Sequence, residues 1–189
     1  ALSKQYYKEG FDPDAPAATP VCYAFALPEP GAEQKMVPHE AAPERQHTQC
    51  TGCPHNKFGT AEKGRGKRCN DTRRLLIAVD TKDPDSILKA QVRQISVPAG
   101  SLKNWGNYLK GLKELSPLGV RGVITQIQPV PTDRGAHALT FTPVGKLERN
   151  QVAAVLAKEK QVESDLMSPF PVLEEGEPTP KARKGKQKY

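Results

Sequence analysis

Hydrophobic and polar positions alternate most clearly from Val120 to Val130 (VRGVITQIQPV), with Val123, Thr125 and Ile127 to one side and Ile124 and Gln126 to the other. A period of two marks a half-buried strand. After a turn over Thr132 to Ala136, His137 to Val144 (HALTFTPV) resumes the alternation with Leu139 and Phe141 inward, which predicts a β-hairpin. Upstream, residues 21–27 (VCYAFAL) and Leu75 to Val79 (LLIAV) are short apolar runs and read as strands. Ile87 to Val97 reads as a longer strand, preceded by a turn at Asp83-Pro84-Asp85 and with a bulge where the phase changes near Arg93 and Gln94.

Two stretches carry the helical period instead. Ser101 is placed to cap a helix whose stripe is Leu102, Trp105, Leu109 and Leu112, and Ser116-Pro117 with Gly119 ends it. Trp105 belongs to that stripe and so to the core. Glu148 to Met167 forms the second helix, with Val152, Val155, Leu156, Val162 and Leu166 on one face.

The resulting order predicts a mainly β, α+β fold with two helices. About five strands with a helix before the last hairpin is the arrangement of an OB-like small β-barrel. The expected organisation is an N-terminal extension (1–20), an OB-like barrel (21–147) with a metal-binding loop inserted at 47–69, a C-terminal helix (148–167) and a tail (168–189). The extension reads as turn and extended chain, with Tyr6 and Tyr7 anchoring it. The tail is acidic at Glu174-Glu175-Gly176-Glu177, then basic from Lys181 to Lys188, a composition expected to be disordered.

Composition adds three constraints. Eighteen prolines and fifteen glycines in 189 residues, with a mean hydropathy of -0.62, imply a modest core and long loops. No apolar run is long enough to cross a bilayer, and the polar opening carries no secretory leader, so a cytoplasmic protein is expected. A net charge of +7 favours a polyanionic partner.

The cysteines supply the most specific signal. Cys50 and Cys53 have the Cys-x2-Cys spacing of a zinc knuckle, and Cys69 follows after a loop rich in Gly and Lys. Structural zinc takes four tetrahedral Cys or His ligands. Cys22 is favoured as the fourth because it accounts for every cysteine, and the long Pro-rich loop between costs little extra closure entropy. His47, which repeats the x2 spacing before Cys50, is the alternative, whereas His55 would crowd the turn. Zinc is preferred over an iron–sulfur cluster because the intervening loop is polar and basic.

Catalytic patterns are absent: there is no Gly-x-Ser-x-Gly, no strand-to-helix phosphate loop and no apolar pair of acids. Binding chemistry is richer. Lys57, Lys63, Arg65, Lys67, Arg68, Arg73 and Arg74 crowd into and just after the cysteine loop, with Phe58 among them. Cations for phosphates plus an aromatic ring for bases suit single-stranded nucleic acid. No small-molecule substrate and no membrane are implied.

Residues Pro20-Val21-Cys22, the run Cys50-Thr51-Gly52-Cys53-Pro54-His55-Asn56-Lys57-Phe58-Gly59-Thr60, then Gly64-Arg65-Gly66-Lys67-Arg68-Cys69 and Arg73-Arg74-Leu75, resemble a cysteine pattern of tailed-bacteriophage and prophage proteins. More distantly they are similar to the zinc-containing helix-destabilising proteins of phages. The resemblance implies a phage-encoded, non-enzymatic single-stranded DNA-binding protein acting in replication, recombination or transcription in the host cytoplasm. It covers residues 20–79, and the basic end departs from the acidic tails common among such proteins. The rival expectation is an accessory subunit whose zinc loop contacts phage or host polymerase components.

Overall fold

The computed structural model describes residues 1–9, 18–62, 64–79, 83–132 and 137–171. Its strands are β1 (Leu2–Tyr6), β2 (Cys22–Ala26), β3 (Cys69–Ala78), β4 (Val92–Val97), β5 (Val123–Pro131) and β6 (His137–Lys146). Its helices are α1 (Ala32–Lys35), α2 (Pro84–Lys89), α3 (Leu102–Leu115) and α4 (Arg149–Val162). The fold is mixed α+β with two antiparallel sheets: four strands in the order β2-β1-β3-β4, and the hairpin β5-β6. The described strands do not close into the expected barrel, because β5 and β6 pair only with each other and turn their apolar side to α3.

The expected N-terminal lead-in is instead an interior strand. β1 pairs with β2 on one side (Tyr6 opposite Cys22) and with β3 on the other (Tyr6 opposite Cys69). Its sequence, LSKQY, hides this because both faces are covered while three of its residues are polar: Ser3, Lys4 and Gln5 are all buried. Such burial is tolerated only when the polar groups find partners. Gln5 donates to Thr72 Oγ1 at 3.1 Å, and Lys4 meets carboxylates described below. The expected turn Asp12 to Pro16, the hairpin tip from Asp133 to Ala136, Lys63 and the tail beyond Pro171 lie outside the described residues.

Ile87 to Val97 is not one strand. Asp83 caps α2 through a 2.8 Å bond from Ser86 N, and Ser86 Oγ accepts from Asp83 N at 3.1 Å. This reciprocal box, with Pro84 in the first turn, outweighs the short alternation of Leu88, Ala90 and Val92. The predicted turn is therefore a helix start, and the strand begins only at Val92.

In the other half, Tyr108 and Leu112 of α3 bury against Val123 of β5, and half-buried Trp105 and Phe141 pack around them. The stripe is rotated from the expected one: Tyr108 lies inside, its hydroxyl bonded to Thr125, while Leu109 stays on the rim. Ser101 does not cap α3. It accepts a 2.8 Å bond from Leu139 N and ties the helix start to β6. α4 opens on a capping box of Glu148 and Gln151, and Glu159 holds Arg121 through two nitrogens. Beyond Val162 the chain tightens into a 3-10 turn, Glu163–Met167, that reaches the sheet. Among the described residues no helix is long and apolar enough to cross a membrane.

Candidate metal centre and nucleic-acid interface

Strand pairing brings the first and last cysteines to the same end of the sheet. Cys22 and Cys69 flank Tyr6 on its two sides, so all three side chains share one face. The Cys-x2-Cys turn is laid over that face. Cys50 N donates to Met36 O at 2.9 Å, and Cys50 packs with Ala24 and Met36. Cys53 N closes the turn onto Cys50 O at 3.3 Å, and Asn56 Nδ2 donates to the same carbonyl at 2.8 Å. Pro54 then begins a single 3-10 turn, Pro54–Asn56.

All four cysteines line one cavity of about 20 Å³, room for a single atom the size of a water. They are free thiols, and Cys50, Cys53 and Cys69 are buried. Burial, against a partly offsetting Lys4 charge and with the other three sulfurs nearby, pushes the Cys69 thiol up to about 12. Burial and the Cys22 sulfur push Cys50 up to about 11. Burial also raises Cys22, although the Gln46 backbone opposes the shift.

Four soft donors around one atom-sized space fit a thiolate-binding metal, whose positive charge would reverse this protonation. Among the described residues, no group of three or more Cys, His, Asp or Glu side chains is set as it stands to hold a metal ion. Binding would draw the sulfurs inward. His47 lines the same cavity but is exposed, whereas His55 stacks on Tyr6 with ring centroids 4.4 Å apart.

Charged groups that no sequence motif announces lie beside the sulfurs. Lys4 Nζ reaches Asp71 Oδ1 at 2.5 Å, Glu33 at 3.0 Å and Asn56 Oδ1 at 3.3 Å, and Lys67 binds the other Asp71 oxygen. Burial alone would raise the Asp71 carboxyl, but bonds from Lys4 and Lys67 outweigh it and hold the group low. The one available signal was alternation, which sets Lys4 with Tyr6 and Asp71 with Cys69.

Between Asn56 and Cys69 the loop folds on itself. Gly59 N donates to Gly66 O at 2.9 Å, and Thr60 Oγ1 joins Lys57 O (2.7 Å) to Arg68 N (3.1 Å). Gly59 has φ 85°, a left-handed conformation that favours glycine. At the tip Phe58 is 81% exposed, with exposed Lys57 and Arg65 near it in the loop.

The structure divides the other predicted contacts. Lys67 is an internal strut: its ammonium is held by Asp71 and Asn56 and lies 5.4 Å from the Phe58 ring centroid. Arg68 is half-buried, paired with Glu62 at 2.7 Å and set over Tyr6. Arg73 is half-buried on the cysteine face.

Arg74 is buried and withdrawn from any surface role. Alternation turns it to the opposite face, where its guanidinium lies 3.8 Å from the Phe25 ring centroid and 4.8 Å from that of Phe170. Its Nη1 donates to Leu166 O (3.2 Å) and Ser168 O (2.5 Å), and burial pushes its pKa down to about 10. This arginine clamps the segment 166–170 onto the sheet.

No known protein family, characterised protein or solved structure matches this chain.

Proposed function

We propose that the chain is a non-enzymatic single-stranded DNA-binding protein whose four-cysteine centre, holding zinc, presents the 57–68 loop to the strand. The observation that carries this reading is Phe58, an 81% exposed ring on a loop pinned by its own hydrogen bonds. A large apolar ring so exposed needs a partner surface to lose water, and a nucleobase offers a flat one. Lys57 and Arg65 stand free for phosphates, with Arg68 and Arg73 half-exposed behind them. Cys22, Cys50, Cys53 and Cys69 hold the metal, which acts through folding of the loop. The OB-like groove of the sequence reading is not needed, because the loop carries ring and charges together.

The test is fluorescence anisotropy of labelled oligo-dT against a matched duplex, at several salt concentrations, with metal content assayed. Tight dT binding is expected to exceed duplex binding, with a log–log salt slope of about -3 if four cations meet phosphates. Equal affinity for both forms, or a Phe58→Ala variant that binds as well as the parent, would sink the reading. Absence of binding to either, with co-purification of a polymerase component, would support the accessory role instead.

A further inference from the structure

We infer that His47 is the ligand through which metal reaches and leaves the four-cysteine centre, without being one of its resident ligands. The inference rests on the metal reading above. A second hollow, of about 480 Å³, lies beside the cysteine cavity and is lined by Val37, Pro38, Arg45, Gln46, His47 and Thr48. Pro38, Gln46 and His47 line both spaces, so these residues form the wall between them. Of the three, only His47 carries a metal-binding side chain, and it is exposed.

Its ring is seated rather than loose. It rests on the turn between Cys50 and Cys53, where a Cβ added to Gly52 would stand 3.0 Å from His47 Cε1. His47 Nδ1 lies 3.0 Å from Gln49 O and 3.2 Å from Gln49 N, so it donates to the carbonyl in one tautomer and accepts from the N–H in the other. When Nδ1 carries the proton it donates to that carbonyl, and Nε2 keeps its lone pair for a divalent ion. This is the usual way a backbone carbonyl orients a metal-binding imidazole.

The division of labour follows from chemistry and burial. Three buried sulfurs and the half-buried Cys22 would supply all four donors of a closed structural site, leaving no position for His47. An exposed imidazole at the wall can hold an ion as sulfurs exchange, which spares it from crossing the wall uncoordinated.

The experiment follows zinc loss from the loaded, full-length protein to a chromophoric chelator, starting from the folded state. His47→Ala is expected to slow transfer by about tenfold, the scale on which groups just outside a ligand shell act. One zinc per chain should remain, and the cobalt-substituted spectrum should stay that of four thiolates. Gly52→Ala, which keeps the imidazole but displaces it, should slow transfer in the same direction. Unchanged or faster release in both variants overturns the inference. So does a cobalt spectrum altered by His47→Ala, which would make His47 a resident ligand. A parent protein that takes up no metal removes the metal reading itself, a separate result.

Discussion

Around Leu112, α3 and the β5-β6 hairpin meet through rings and aliphatic side chains, with one hydroxyl pair, Tyr108 and Thr125, inside. Around Cys50, the sheet and its loop meet through thiols, ammonium groups and carboxylates, with Ala24 and Met36 as the apolar filling. The first arrangement gains free energy from removing apolar surface from water and needs nothing from outside. In the second, four thiols face one cavity and two lysines share one aspartate, so its order depends on charge balance. One chain thus contains a half held by apolar burial and a half in which charges and thiols face one another, the half to which the proposed metal belongs.

With zinc bound as proposed, its removal separates the two halves most strongly. Structural zinc contributes about 10–16 kcal/mol in small zinc-binding peptides, so chelation or Cys69→Ser should loosen the sheet half severely. Trp105 is the only tryptophan and belongs to the other half, so its emission should hardly change while amides of β1 and β3 lose hydrogen-exchange protection. If emission and exchange collapse together, the halves are one cooperative unit.

The converse experiment is Leu112→Ala, which should cost about 2–5 kcal/mol through lost burial and a cavity. Denaturation followed at Trp105 checks it, and metal affinity should be unaltered. A smaller effect is expected for Arg74→Met, which leaves the carbonyls of Leu166 and Ser168 without their donor, at about 1–3 kcal/mol. Limited proteolysis near Ser168 should then accelerate. Smallest for stability is Phe58→Ala, within about 0.5 kcal/mol, since the ring is already in water. Its loss should appear in oligo-dT affinity, by roughly 1–3 kcal/mol.

Legibility in the sequence followed the same divide. The hairpin and α3 were readable because one face of each is apolar and the other polar, so period alone located them. β1 was not, because Ser3, Lys4 and Gln5 are buried polar residues, and Lys4 and Gln5 meet Asp71 and Thr72, each 67 positions away. α2 was misread although its signal was local, since Asp83-Pro84-Asp85-Ser86 is a helix start as much as a turn. At the site, the four cysteines expected as metal ligands line one cavity. The fate of the cations was not legible: adjacent Arg73 and Arg74 looked like one basic patch, yet successive strand residues face opposite ways. Only the pairing of β3 with β1 and β4 reveals which arginine goes inside.

The central position of β1 also bears on how the protein is made. Lys4 leaves the ribosome well before its partner Asp71, which is 67 residues behind. At about 5–20 residues per second, that separation is roughly 3 to 13 s of synthesis. During that interval β1 can pair with β2 as a hairpin, but its other edge stays open and its lysine stays hydrated. The sheet is completed, and the fourth thiol delivered, only when Cys69 and the strand it begins emerge. Metal capture by the proposed four-thiol centre would then wait for Cys69 rather than coincide with the first appearance of the knuckle.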